Sequence, residues 1–140
     1  MKVTLERKNQ PFHFEAKGKS GLAVNIDSST PEASKGSSPM ELLLMAIGGC
    51  NAIDIVSILN KQRQEIKGYR IELEGTRREM EQARPFEAVH LKIYLEGDID
   101  PAKARRAAQL SFDKYCSVSI SVRGCIKVSH EILINGKSID

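Results

Sequence analysis

A chain of 140 residues has room for one domain, because two would each be left with little core. Hydrophobic residues at 41% and charged residues at 28% describe a soluble globular chain and exclude a disordered or fibrous one. A net charge of +3, 5% aromatics and no tryptophan give nucleic-acid binding no support.

The first residues mix charges with single apolar side chains. They lack the unbroken apolar stretch of a signal peptide, so a cytoplasmic protein is expected. Val3 and Leu5, then Phe12 and Phe14, then Leu22, Val24 and Ile26 alternate with polar residues. That period of two predicts three half-buried strands with turns between them. Residues 28–38 are small and polar, and read as a loop.

Ser38, Pro39 and Glu41 then supply an N-cap hydroxyl, a first-turn proline and a carboxylate at the third helical position. This capping box opens a helix expected to run to about Arg63. The run from Leu42 to Leu59 is long enough to raise the question of a membrane span. Asn51, Asp54 and Ser57 interrupt it, and a carboxylate near mid-bilayer is costly, so a buried helix is the expectation and no membrane partner is. Residues 42–50 are apolar or small on every side and need cover from two directions. A single sheet covers mainly one, which makes an intimate homodimer the expected assembly.

Further strands are predicted around Tyr69, Ile71 and Leu73, and around Val89, Leu91, Ile93 and Leu95, joined by a long polar connection. Asp100 and Pro101 open a second helix whose small-residue face includes Ala104, Ala107 and Ala108. Cys116 falls near its end, and a last strand runs from Ile126 to Ile134. The order βββ-α-ββ-α-β describes a single α+β domain over residues 1–140, with two main helices and a mostly antiparallel sheet.

Cys50, Cys116 and Cys125 are an odd number of thiols with no C-x-x-C pair, and reduced cysteines are expected. His13, His90 and His130 lie in separate segments without ligand spacing. No metal is therefore expected unless the fold assembles a site, and no cofactor is implied. His90 and His130 fall in strand patterns and read as sheet-surface residues. From the helix alone, Cys50 is either a small buried residue beside Gly48 and Gly49, where helices approach closely, or a thiol with chemistry to do.

The stretches "SPMELLLMAIGGC" and "KYCSVS", together with the element order, resemble the OsmC/Ohr family of osmotically inducible and organic-hydroperoxide-resistance proteins, and within it the YhfA-like branch. Cys50 and Cys116 are separated along the chain as the family's cysteine pair is. The resemblance implies an intertwined homodimer and a thiol-dependent hydroperoxide reductase. In it Cys50 would be the peroxidatic thiol and Cys116 the resolving one, with an organic hydroperoxide as substrate and an external dithiol as reductant. Cys125 lies outside the pair and reads as structural.

Three positions depart from the family pattern. Met40 stands where peroxidatic members keep a glutamate; Glu41 follows it and is accounted for by the capping box. No arginine lies between Arg7 and Arg63 to hold a thiolate, which leaves Arg7, Lys17 and Lys19, with Glu41 and Asp54, as auxiliary candidates. Ser117 replaces the proline that commonly follows the second cysteine. Asp54, one turn beyond Cys50, opposes a thiolate there. Two other readings follow from these departures: a dimer that binds a small apolar or thiol ligand at its interface, and a redox sensor that forms one disulfide without turnover.

Overall fold

The alternating N-terminal residues form a three-stranded antiparallel meander in the computed structural model, which describes residues 1–140. Its strands are β1 (Thr4–Asn9), β2 (His13–Lys17) and β3 (Ala23–Ile26). They belong to the first of two compact units, residues 1–43; the second spans residues 44–140.

In the first unit Leu5 pairs with Ala16, and Ala16 with Val24, so the three share one face. Ala16 is buried, whereas Leu5 and Val24 remain exposed, and every residue of β1 is exposed. The half-buried strands expected from the alternation are therefore, in the single chain, largely uncovered on their apolar face. The polar interior is better satisfied. The buried His13 ring donates from Nε2 to Asn25 Oδ1 (2.9 Å) and accepts at Nδ1 from Asn9 Nδ2 (3.0 Å).

Asp27 organises the loop that follows. One carboxylate oxygen takes the Ser29 hydroxyl (2.6 Å) and backbone N–H (2.9 Å), and the other takes the Lys35 N–H (3.1 Å). These bonds, led by the Ser29 hydroxyl, hold its pKa down at about 2. Gly36 is required here, because a Cβ would run into the backbone carbonyl oxygen of Asn25.

Helix α1 (Pro39–Lys61) starts with the expected cap: Ser38 N–H donates to Glu41 Oε2 (2.7 Å) and Glu41 N–H donates to Ser38 Oγ (3.3 Å). It ends slightly short of the expected boundary, with Arg63 in the left-handed region at φ 56°. By length and composition it is apolar enough to cross a membrane. Its buried residues Ile47, Gly48, Asn51, Ile55 and Leu59 nevertheless form a single stripe, spaced as one helix face. Gly48 allows close approach, although to a strand rather than a helix: a Cβ there would lie 2.6 Å from Leu73 Cδ1. Gly49 faces open space.

The second sheet has the order β4-β5-β6-β7, from β4 (Glu65–Arg77), β5 (Phe86–Asp98), β6 (Lys127–Ile134) and β7 (Lys137–Ser138). Val89, Leu91, Ile93 and Leu95 on β5, with Ile132 on β6, are at most 1% exposed. Each such side chain contributes roughly 1.5–3 kcal/mol relative to an exposed one. β4 and β5 are antiparallel, but β5 and β6 run parallel, so the sheet is mixed. A parallel pair needs a crossover, and the helical segments after β5 provide it.

That crossover is more broken than the single helix expected. Asp100 caps α2 (Pro101–Leu110) through the N–H groups of Ala102 (2.7 Å) and Lys103 (3.3 Å). A π-turn follows at Ser111–Tyr115, closed by Cys116 N–H donating to Ser111 O (2.9 Å), and then a short helix α3 (Ser117–Val122). His90 is exposed, as expected. His130 is half-buried and stacks on Phe112, with centroids 4.3 Å apart and planes 2° from parallel, and burial lowers its pKa.

Candidate functional site

Helical spacing brings the first two members of the site together. Cys50 and Asp54 are four residues apart on α1 and share a face. Cys116 enters from the junction between the π-turn and α3, with its backbone extended at φ −71° and ψ 98°. The two sulfurs and a carboxylate oxygen of Asp54 all lie within 4.8 Å of one another. Both cysteines are unbonded thiols, Cys116 fully buried and Cys50 half-buried.

Asn51 ties this cluster to its surroundings. Its Nδ2 donates to Ile47 O (2.8 Å) and to Ser119 Oγ (2.9 Å), while its Oδ1 accepts from Ser111 Oγ (2.8 Å). The Ser111 hydroxyl is shared with Asp54 Oδ2 at 3.2 Å, and Ser119 N–H donates to Cys116 Sγ at 3.3 Å. The network joins α1, the π-turn and α3 with no buried polar atom of Asn51, Ser111 or Ser119 unpaired. The π-turn matters here, since a turn with one extra residue lets Ser111 and Cys116 both face α1.

The electrostatics run against an easily ionised Cys50. Burial pushes its pKa up, followed by its hydrogen bond with Cys116; the Val118 backbone N–H pulls the other way, and the charges of Cys116 and Asp54 raise it further. An open cleft of about 530 Å³ adjoins Asp54, lined by Ser57, Ile58, Leu110 and Tyr115 among others. Gln62 also lines it, and its buried Oε1 has no protein partner.

The auxiliary candidates have other engagements. Arg7 donates to Pro11 O (2.9 Å), Lys17 pairs with Glu15 (3.0 Å), and Glu41 is held in the capping box. Lys19 is exposed in the turn before β3. Ile47 is fully buried in the core, whereas Met45 is exposed. The linear sequence carried no metal-ligand spacing, yet the fold assembles three ligand-type side chains at one point. Ser111 and Ser119 were missed as site residues. Serine in a helical pattern carries no signal of what it will face across sixty residues of chain.

Comparison with known proteins places the chain's fold and family. Residues 31–131 match the family model of OsmC-like protein. Protein YhfA of Escherichia coli strain K12 is 39% identical over 118 residues, which cover 84% of this chain and 86% of that protein. The crystal structure of a hypothetical protein from Aquifex aeolicus superimposes with a TM-score of 0.81 at 34% identity, covering 96% of each chain. An organic hydroperoxide resistance protein OsmC from Legionella pneumophila shares the fold, with a TM-score of 0.70 at 17% identity over 94% of this chain and 96% of its own.

Proposed function

This chain belongs to the OsmC-like family, and from that premise we propose that it is a thiol-dependent reductase of organic hydroperoxides. The observation that carries the reading is the approach of Cys50 and Cys116, the half-exposed thiol beside the buried one. Cys50 as thiolate attacks the outer oxygen of ROOH, breaking the O–O bond; it becomes a sulfenic acid, and the alkoxide takes a proton to leave as ROH. Cys116 then attacks the sulfenic sulfur, forming a disulfide and releasing water. An external dithiol reduces the disulfide and is itself oxidised, which closes the cycle at one peroxide per dithiol.

Turnover is slow on this reading. Peroxide reacts with the thiolate, and Asp54 stands where a cation would be wanted. A homodimer belongs to the same proposal, because it would cover the exposed Leu5 and Val24 of the first sheet and Met45 and Ile53 of α1. Sedimentation of the purified chain at twice the monomer mass is the expected result. A reducing compartment such as the cytoplasm suits the resting dithiol state.

The test is consumption of an organic hydroperoxide by purified protein with a dithiol reductant. Wild type should turn over many equivalents, and Cys50→Ser none above background. Equal rates for the two proteins would end the proposal. A second reading, a dimer that binds a small apolar or thiol ligand without consuming peroxide, is favoured by the carboxylate beside the thiols and by the unpartnered Gln62 carbonyl at the cleft. Stoppage after a single equivalent, with a Cys50–Cys116 disulfide formed, would instead identify a redox sensor.

A further inference from the structure

Two thiols and a carboxylate gathered at one point, with negative charge as the common outcome of ionisation, form an unusual surrounding for a nucleophile but a suitable one for a soft cation. We propose that Cys50 Sγ, Cys116 Sγ and one Asp54 oxygen bind a single Zn2+ ion, leaving a fourth coordination position toward solvent. The inference rests on the cluster's geometry and stands whether or not the chain reduces peroxides.

Geometry is the first support. A tetrahedral zinc with bonds of ~2.3 Å to sulfur and ~2.1 Å to oxygen holds its ligand atoms roughly 3.5–3.8 Å apart. The three donor atoms already lie within 4.8 Å of one another, so they would have to close by only about 1 Å to reach those separations. The chemistry of the set is the second: two thiolates select a thiophilic d10 ion over Mg2+ or Ca2+, which prefer all-oxygen shells. The third support is the outer shell. Ser111 Oγ reaches Asp54 Oδ2, Ser119 N–H reaches Cys116 Sγ, and Asn51 holds both serines. Such bonds orient ligands and are a regular part of built metal sites. Access is the fourth, since Cys50 and Asp54 are only half-buried and Asp54 opens on the 530 Å³ cleft.

A bound ion would engage both sulfurs and prevent the Cys50–Cys116 disulfide, so zinc would inhibit peroxide turnover; that consequence alone rests on the proposed function. The binding experiment uses the full reduced chain without peroxide. Co2+ as spectroscopic probe should bind one ion per chain, with thiolate-to-cobalt charge-transfer bands and tetrahedral d–d bands, and Zn2+ should displace it. Cys50→Ser and Cys116→Ser should each weaken binding by at least about 100-fold, and Asp54→Asn by about 10-fold. Cys125→Ser, outside the cluster, should bind as wild type does. In the wild type, Zn2+ should protect the half-exposed Cys50 from alkylation but not the exposed Cys125, a readout that needs no variant to fold. Absence of the charge-transfer bands, binding unaltered by Cys50→Ser, or protection confined to Cys125 would each overturn the site. Peroxide turnover measured with chelator present is a separate result, so loss of either proposal leaves the other standing.

Discussion

Two buried polar clusters in this chain are built on opposite terms. Around His13 and Asp27, each acceptor meets a donor from the same local segment, and the Asp27 carboxylate is stabilised in its charged form. Around Asn51 the neutral groups are equally well paired, but Cys50, Cys116 and Asp54 bring together three groups whose ionised forms would all be negative. The first arrangement is complete and serves the fold. The second is complete only in its supporting shell, and its centre is left unbalanced.

The sharpest way to break the contrast is to remove its keystone. Asn51→Leu strips the Ser119 hydroxyl of its interior donor, leaves the Ser111 hydroxyl with only its longer bond to Asp54, and should destabilise the protein by about 2–4 kcal/mol, read from urea unfolding. A loss below 0.5 kcal/mol, on the order of an ordinary surface change, would mean that the network is not structural. Gly48→Ala tests the approach that sets α1 against β4. The added methyl collides with the Leu73 side chain, which can shift in part, so a loss of roughly 1–3 kcal/mol is expected in the same measurement.

The centre of the second cluster responds to charge. Asp54→Asn removes one of the influences that raise the Cys50 pKa, so alkylation of Cys50 at pH 7 should quicken by on the order of 3-fold. In wild type the Cys50 alkylation rate should still be climbing above pH ~8.5, the ordinary thiol value, because its folded pKa is raised. A plateau below pH 7 would show an activating cation at the site. The first cluster gives the opposite sign. Asp27 has a lowered pKa, so its hold on the loop is whole above about pH 4 and fades as pH falls toward 2. Ser29 and Lys35 amide shifts should therefore titrate with a midpoint of about 2, and a midpoint near 4 would remove Asp27 from its role.

How much of this could be read in advance depends on the range of the interaction. The Ser38–Glu41 capping box, the Asp100 cap and the buried alternation on β5 were all readable, because each is a relation among residues within a turn of helix or along one strand. The cysteine motif likewise marked Cys50 and Cys116 through family resemblance. What escaped were relations across the chain. The parallel pairing of β5 with β6 depends on how a crossover folds back, and the π-turn at Ser111–Tyr115 is one residue of extra winding with no compositional mark.

The same division runs through the site. That Asp54 sits one turn from Cys50 follows from helical repeat alone, and so does its opposition to a thiolate. That Cys116 meets both of them, and that Asn51 spends its polarity on two serines rather than on solvent, required α1, the π-turn and α3 to pack together. Side-chain spacing along a chain is set by local geometry, whereas the meeting of groups sixty residues apart is decided by which faces are buried against one another. That packing turned an apolar helix with one cysteine into part of a half-open cluster of three ionisable side chains.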